Sequence, residues 1–400
     1  MHHIIRYFKV KTSKFNSLSF NNKALVIIFT MSVFSALAIR LALIKVETFD
    51  YTYFLKPWID HLSQKGLAGL GDSFSNYNAP YLILLWVVSH LPFSTIIDVK
   101  LISIAFDFIL AFGVYLVVGH FKPRGLSKYF SVVAVLFTPT VIQNSSLWGQ
   151  CDVIYTSFIV FSFYAYLKGK FRIAWAIWGV AFAFKLQSMF FAPFLLFMTF
   201  YKKKAYTGPL IAAGVVVLLS ALPILYGKSI ADIINVYVSQ TAPPDGVEML
   251  AWFSPTAYQW ISNVSFYQVR RAGIVFAGMV GLSIVSLAFL RKYKDTTVLA
   301  IATVSLLALP FFLPQIHERY LYTSEIFLVI TAFVIPRFIW AAIAMQIISS
   351  MTYITYFTGG NQMPPIPFAE LSLVVLVIIY VYIKYIYDNS KAVNLAAIVN

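Results

Sequence analysis

The composition of the chain changes abruptly near its start. Residues 24–44 read ALVIIFTMSVFSALAIRLALI, and residues 47–81 read ETFDYTYFLKPWIDHLSQKGLAGLGDSFSNYNAPY. A helix that crosses the hydrocarbon core of a bilayer needs about 20 mainly apolar residues. The first stretch therefore predicts a membrane-spanning helix. The second combines acidic side chains with aromatic rings, and it predicts a segment outside the lipid.

Apolar stretches joined by short connections make up most of the remaining chain. The 400 residues are 60% hydrophobic, 18% aromatic and only 11% charged, which is far from the composition of soluble proteins. We expect an all-α polytopic membrane protein with a single domain, residues 1–400. It should hold about 11–13 transmembrane helices, and its long first outer loop should carry short amphipathic helices. The single cysteine excludes an intrachain disulfide.

Positive charge is concentrated in clusters between the apolar stretches, and the net charge is +15. In a multi-pass membrane protein such clusters mark cytoplasmic loops, so the basic excess does not indicate a nucleic-acid partner. This rule makes residues 1–23 a cytoplasmic tail and residues 46–80 and 227–270 outer loops. Most acidic residues then fall on the outer face, where we expect the functional site.

One segment disturbs the alternation of inner and outer loops. Residues 79–92 and 100–119 look like two helices between the first outer loop and the basic cluster at 122–128, which gives the wrong parity. The segment from Pro80 to Pro92 is too short for a full span. A partial or re-entrant helix and a misplaced boundary both remain open.

Several predicted helix ends on the outer face carry polar side chains that lipid should exclude. A charged residue at the bilayer centre costs about 2.5–3.5 kcal/mol, so each one needs a reason. These residues are Arg40, Trp148, Gln150, Asp152, Lys185, Gln187, His317, Glu318 and Arg319. The first outer loop adds Asp50 among the rings of Tyr51, Trp58 and Tyr77. Cations suit a phosphate, and a carboxylate can take a proton from a hydroxyl.

Each candidate also has an ordinary structural interpretation. Arg40 can extend its guanidinium to lipid headgroups, and Lys185 can form an ion pair with Asp152 or another acid. Residues 317–319 can satisfy one another's charges. The aromatic candidates can be interfacial-belt or packing residues. Asp107 has no outer-face motif around it, and we expect it to pair structurally.

Four motifs, taken in order, resemble the GT-C class of integral-membrane glycosyltransferases, which use polyprenyl-phosphate sugars. Residues 49–51 (FDY) followed by Trp58 are similar to the first outer loop of that class, which carries its catalytic acid. Residues 77–82 (YNAPYL) resemble its Tyr-Pro-Pro-Leu segment, with Asn-Ala in place of one proline. Residues 148–152 (WGQCD) and 317–320 (HERY) resemble segments of prokaryotic relatives of the mannosyltransferase that adds the second mannose of GPI anchors.

The resemblance implies transfer of a monosaccharide, mannose or another hexose, from a polyprenyl phosphate to an acceptor hydroxyl, with inversion. It places this hexosyltransferase activity, and with it the synthesis of a cell-envelope glycan, at the outer face of a bacterial or archaeal plasma membrane. An alcohol that attacks an anomeric carbon must lose a proton, and we assign Asp50 as the base. The expected ligands of the donor phosphate are Lys185, His317, Arg319 and Arg40. The expected sugar or acceptor contacts are Trp148, Gln150, Asp152, Glu318, Gln187, Tyr51, Trp58 and Tyr77.

The expected partners follow from this reaction. They are the lipid-linked donor, the bilayer and a lipid-, glycan- or protein-linked acceptor, and we expect a monomer. The first loop contains no Asp-x-Asp, so no metal site is predicted and no cofactor is required, although a divalent metal stays open.

Two other classes of membrane protein remain as alternatives. A secondary transporter would need a midplane site on broken helices. A flippase or polymerase of polyprenyl-linked saccharides would handle similar lipids, and flipping does not need the Asp50 loop.

Overall fold

The computed structural model describes residues 20–240, 248–262 and 264–392. Within these ranges the chain forms sixteen α-helices, numbered α1 to α16. They are Phe20–Leu43, Lys56–Lys65, Ala79–Val88, Thr95–Phe121, Ser127–Phe137, Pro139–Ile142, Asp152–Leu167, Phe171–Phe184, Ala192–Lys202, Gly208–Ser220, Ile230–Ser239, Phe266–Leu290, Asp295–Phe312, Tyr322–Val334, Ile339–Phe357 and Phe368–Asp388. Most of the expected cytoplasmic tail, residues 1–19, and part of the second outer loop lie outside the described residues.

Four short strands, β1 to β4, tie distant segments together. They are Ala251–Trp252, Arg291–Tyr293, Ile316–His317 and Ser390–Ala392. β1 pairs in parallel with β3, and β2 pairs antiparallel with β4. The first pair attaches the second outer loop to the segment that follows α13.

Seven helices in the described part of the chain are long and apolar enough to cross a membrane. An eighth span results if α5 and the helical segment Pro139–Trp148, which meet at a 51° bend, count as one. The chain is therefore an all-α, multi-pass membrane protein. The expected number of about 11–13 spans is reached only if shorter apolar helices also cross. Among these are α7, α8 and α14.

Burial separates central from peripheral helices. The apolar window of α13 is 83% buried inside the protein, whereas that of α1 is only 11% buried. A helix that is apolar on all sides is suited either to a protein core or to lipid. We infer that α13 lies at the centre of the bundle and that α1 turns most of its surface to lipid. The shorter α7 packs against α4, α8 and α14.

The first outer loop folds into short helices, as its composition predicts. A π-helical turn at Tyr51–Leu55 leads into α2, which buries Trp58, Ile59 and Leu62. After a 3₁₀ turn comes α3, whose 10 residues span only about 15 Å. The hydrocarbon core is about 30 Å thick, so α3 cannot cross it alone. The segment at 79–92 is thus a partial helix, which accounts for the parity problem in the sequence.

Four interruptions of helical structure bring polar residues toward one another. The chain leaves α1 before Asp50, and a π-helical turn at Gln143–Trp148 ends at Gly149, which has the left-handed φ of 80° that favours glycine. Lys185 is extended between α8 and a 3₁₀ turn, with φ −156° and ψ 135°. After α13, residues 313–321 form the loop that contains β3.

Candidate active site

The carboxylate of Asp50 is held by three hydrogen-bond donors from distant parts of the chain. Its Oδ2 accepts from Trp148 Nε1 at 2.9 Å and from Gln150 Nε2 at 2.5 Å. Its Oδ1 accepts from the Tyr356 hydroxyl at 2.6 Å. The side chain is 10% exposed, so the carboxylate is oriented by the protein and is still reachable from outside.

Backbone contacts fix the loop that supplies two of these donors. The N–H of Gly149 donates to the Ser145 carbonyl at 2.9 Å, and the N–H of Gln150 donates to the Asn144 carbonyl at 2.9 Å. The Ser103 hydroxyl donates to the Gln150 carbonyl at 2.6 Å. The loop is therefore anchored to α4 beneath it, which reduces the freedom of the Gln150 side chain.

A buried lysine ties the same loop to the end of α1. Lys100 Nζ donates to the Leu147 carbonyl at 3.0 Å and to the Val46 carbonyl at 2.5 Å. Val46 lies four residues before Asp50, so Lys100 links the two segments that meet at the carboxylate. The charge of Lys100 stabilises backbone carbonyls, and we assign it a structural role.

A second buried carboxylate, Asp152, lies at the first residue of α7. Its Oδ1 accepts from Lys185 Nζ at 2.6 Å, and its Oδ2 accepts from Asn144 Nδ2 at 2.9 Å. Arg319 Nε is 3.6 Å from the same Oδ2. The side chain of Asp152 is 0% exposed. The ion pair of Lys185 with Asp152, one of the two alternatives from the sequence, is therefore present.

Arg319 lies between the two aspartates. Its Nη1 is 3.9 Å from Asp50 Oδ2 and 3.0 Å from Glu318 Oε1. The guanidinium also sits over the Trp148 ring, 5.1 Å from the centroid, in a cation–π contact. One planar cation thus contacts three carboxylates and the ring that donates to Asp50.

The segment 317–319 combines mutual pairing with contacts to the rest of the cluster. Burial raises the pKa of the Glu318 carboxyl, but the neighbouring His317 and Arg319 lower it more, so the pKa lies below its ordinary value. His317 Nδ1 is 3.8 Å from Glu318 Oε2. The His317 ring stacks on Trp252 with centroids 5.4 Å apart and planes at 7°. The parallel pairing of β1 with β3 sets Trp252 opposite His317.

Aromatic residues of the first outer loop form one wall of the cluster. Lys185 Nζ lies 5.7 Å from the centroid of the Tyr77 ring, and the Trp58 ring packs on Tyr77 at 5.1 Å. Burial raises the pKa of the Tyr77 hydroxyl well above its ordinary value, so it stays neutral. Tyr51, which follows Asp50, and Gln187, two residues after Lys185, are also buried, at 4% and 7% exposure.

Arg40 does not join the cluster, although the sequence suggested it as a phosphate ligand. Its Nε donates to Asp107 Oδ2 at 2.6 Å, and both side chains are fully buried. Ser145 also donates to Asp107 Oδ2, at 2.5 Å. The positive charge of Arg40 is neutralised inside the protein by the structural pairing expected for Asp107. We therefore omit Arg40 from the proposed phosphate site.

Three members of the site were not identified from the sequence. Tyr356 lies in the last turn of α15, where one more aromatic residue in an aromatic-rich chain gives no signal. Asn144 precedes the WGQCD motif within the same turn and could have been considered with it. Lys100 is a charged residue within the apolar stretch Thr95–Phe121, and that signal was available.

The chemistry that this cluster can perform follows from its charges. Three buried carboxylates face two permanent cations, and His317 adds positive charge when protonated. A carboxylate beside a cation can accept a proton from a hydroxyl while the cation stabilises a leaving anion. Among the described residues, no group of three or more His, Cys, Asp or Glu side chains is arranged to hold a metal ion.

No family model matches this chain, and no curated protein matches it significantly in sequence.

Proposed function

We propose that this protein transfers a hexose from a polyprenyl-phosphate donor to an acceptor hydroxyl, with inversion and with Asp50 as the base. The observation that carries the proposal is the orientation of the Asp50 carboxylate by three donors, 3.9 Å from the Arg319 guanidinium. A proton acceptor and a cation that can receive a leaving phosphate are thus adjacent.

The chemistry needs one carboxylate rather than two. The acceptor hydroxyl forms its new bond to the anomeric carbon and gives its proton to Asp50, while the bond from that carbon to the phosphate oxygen breaks. The leaving group departs as a phosphate anion, which requires positive charge and no general acid. Glycosidases use two carboxylates because their leaving group is an alkoxide.

Asp50 is a better base than Asp152 on the basis of their surroundings. The Asp152 carboxylate is fully buried and bonded to Lys185, and so has no route to an acceptor. The Asp50 side chain keeps 10% exposure, and only the more distant Arg319 approaches it as a cation. A base must reach the proton that it abstracts, which favours Asp50.

The other residues take roles that their contacts support. Trp148 and Gln150 donate to Asp50, so we assign them to holding the base rather than to contacting the sugar. Arg319 and Lys185 supply the positive charge for the phosphate, with His317 beside them. Asp152 and Glu318 hold these cations in place.

The setting of the reaction belongs to the same proposal. We assign the chain a GT-C-like fold of about 11–13 spans, counting the shorter apolar helices. The active site then lies on the outer face of a bacterial or archaeal plasma membrane, because basic clusters mark the cytoplasmic side. The acceptor is a lipid-, glycan- or protein-linked hydroxyl, and the enzyme acts as a monomer.

Product analysis by mass spectrometry tests this function. The purified protein is incubated with a panel of polyprenyl-phosphate hexoses and with acceptors of the three classes. We expect one hexose to be transferred, and we expect the same product from the control Asp60→Asn. Asp60 is an exposed acid of the same loop, paired with Lys56. Movement of an intact lipid-linked sugar or free solute across vesicles, without a new glycosidic bond, would establish a flippase or a transporter instead.

A further inference from the structure

A groove lined by aromatic, amide and hydroxyl side chains separates the first outer loop from α11, on the far side of the aromatic wall. Its volume is about 400 Å³, which lies in the range of small-molecule sites. Phe54, Trp58 and Asn76 line it from the first loop, and Asn235 and Ser239 line it from α11. Trp58 also packs on Tyr77 in the aromatic wall of the Asp50 cluster, and the other four residues lie outside that cluster.

Specific contacts build this groove and hold its two walls together. Lys228 Nζ donates to the Asp72 carbonyl at 3.2 Å, and Gln240 Nε2 donates to the Asn76 carbonyl at 3.0 Å. Gly71 touches the end of the 3₁₀ turn Leu222–Tyr226, where a Cβ would lie 2.0 Å from the Tyr226 carbonyl oxygen. The close approach of the two backbones at Gly71 fixes the distance between the walls.

The charged groups of the groove already have partners. Asp232 forms a capping box with Ser229, accepting from its hydroxyl at 2.7 Å. Lys228 is 8% exposed and bonded to the Asp72 carbonyl. In contrast, the side-chain amides of Asn76 and Asn235 have no hydrogen-bonding partner within the described part of the chain. The groups free to bind a ligand are therefore neutral.

This combination indicates the class of ligand. Amide groups donate to and accept from hydroxyls, and an exposed aromatic surface packs on an apolar face of a sugar ring. Phe54 is 41% exposed beside the groove. An anion would find no unpaired cation here, whereas a neutral polyhydroxyl compound would find amides, hydroxyls and an aromatic surface.

The groove is one aromatic layer away from the cation cluster. The centroid of the Trp58 ring lies 5.1 Å from that of the Tyr77 ring. Lys185 Nζ lies 5.7 Å from the centroid of the same Tyr77 ring. The Phe54 ring lies 6.3 Å from that of Phe49, the neighbour of Asp50 in the chain. A ligand in the groove would thus lie beside the proposed transfer site without occupying it.

We propose that this groove binds a neutral carbohydrate and is the acceptor subsite of the transferase. Its assignment to the acceptor rests on the proposed function, whereas its preference for a neutral sugar rests on the lining residues alone. The donor phosphate and the acceptor glycan would then occupy separate sites of opposite chemical character.

Binding of mannobiose to the full-length protein in nanodiscs, followed by saturation-transfer NMR, tests the groove. The double variant Asn76→Ala/Asn235→Ala should bind mannobiose at least about tenfold more weakly, because it removes two amides. The control Asn361→Ala changes an exposed asparagine outside the groove and should bind like the parent. Glucuronate and inorganic phosphate should not displace mannobiose from the parent.

In the binding experiment, three results would overturn the proposal: no mannobiose binding by the parent, equal binding by the double variant, or displacement by glucuronate or phosphate. A kinetic measurement separates this proposal from the transferase itself. The double variant should raise the acceptor KM and leave donor binding unchanged. If mannobiose binds in the groove but no polyprenyl-phosphate hexose is consumed, the proposed transferase function is refuted and sugar binding by the groove is supported. If transfer proceeds with an unchanged acceptor KM in the double variant, the assignment of the groove as the acceptor subsite is refuted and the transferase function is retained.

Discussion

The ion pair of Arg40 with Asp107 should be energetically coupled, and its removal from one side should destabilise the fold. Arg40→Met removes the cation and leaves Asp107 buried with only the Ser145 hydroxyl as a partner. Both charged side chains are 0% exposed and their atoms are 2.6 Å apart. Loss of one partner of such a buried pair costs about 3–5 kcal/mol, since an uncompensated charge stays in the interior.

The double variant Arg40→Met/Asp107→Leu should recover most of that loss. Replacement of a whole buried pair by apolar side chains is often neutral or stabilising, by about 1–4 kcal/mol. The coupling energy of the cycle should therefore be at least about 3 kcal/mol. Lys56→Met/Asp60→Leu is the matched control, because that pair is 49% and 37% exposed and should couple by less than about 1 kcal/mol.

Equilibrium unfolding in mixed detergent micelles, with all four proteins of each cycle, gives these coupling energies. Donor binding measured on the same samples separates a structural from a functional role. If the losses of unfolding free energy in the two single variants simply add in the double variant, the ion pair does not stabilise the fold. Normal stability of Arg40→Met combined with loss of donor binding would restore Arg40 to the phosphate site.

Three other substitutions test separate parts of the site. Tyr356→Phe removes the hydroxyl that donates to Asp50 at 2.6 Å, and single-turnover transfer should slow by about 10- to 100-fold with donor affinity unchanged; a normal rate would remove Tyr356 from the site. Arg319→Lys keeps the charge but loses the planar fork, so equilibrium binding of the donor should weaken by about tenfold or more, and parent-like affinity would argue against a phosphate contact. Gly71→Ala should open the groove and speed proteolysis of the first outer loop, whereas Gly214→Ala, whose Cβ would meet nothing within 4 Å, should not.

Local patterns in the sequence predicted the helices well, because apolar stretches and their polar interruptions are local properties. The predicted span at residues 24–44 corresponds to α1, Phe20–Leu43, and the predicted helix at 100–119 corresponds to α4, Thr95–Phe121. The partial helix α3 was anticipated as one of two alternatives, because the length of an apolar run limits what it can cross.

The motifs around the candidate site were also recognisable, because polar residues at helix ends stand out in an apolar chain. The structure brings together four predicted parts of the site: Asp50, the segment 148–152, Lys185 and the segment 317–319. Asp50 and Arg319 are 269 positions apart in the chain. Which partners they choose was not predictable. Lys185 could have faced a phosphate or paired with Asp152, and only tertiary packing selects between the two.

Long-range packing explains the remaining differences. Arg40 pairs with Asp107 across 67 positions, and Tyr356 reaches Asp50 across 306. No periodicity or local motif encodes the distance between helices so far apart in the chain. The same is true of the groove, which exists because Gly71 lets two backbones meet.

The role of Asp50 as the proton acceptor is the central claim, and single-turnover transfer by Asp50→Asn tests it most directly. The amide keeps the shape of the side chain but removes the basic oxygen. Asp152→Asn, which changes the alternative base, and Glu47→Gln, which changes another acid of the first outer loop, are measured alongside it. We predict that Asp50→Asn binds the donor like the parent and transfers about 10²–10⁴-fold more slowly. Near-normal transfer by Asp50→Asn, with Asp152→Asn inactive, would contradict the account and move the base to Asp152.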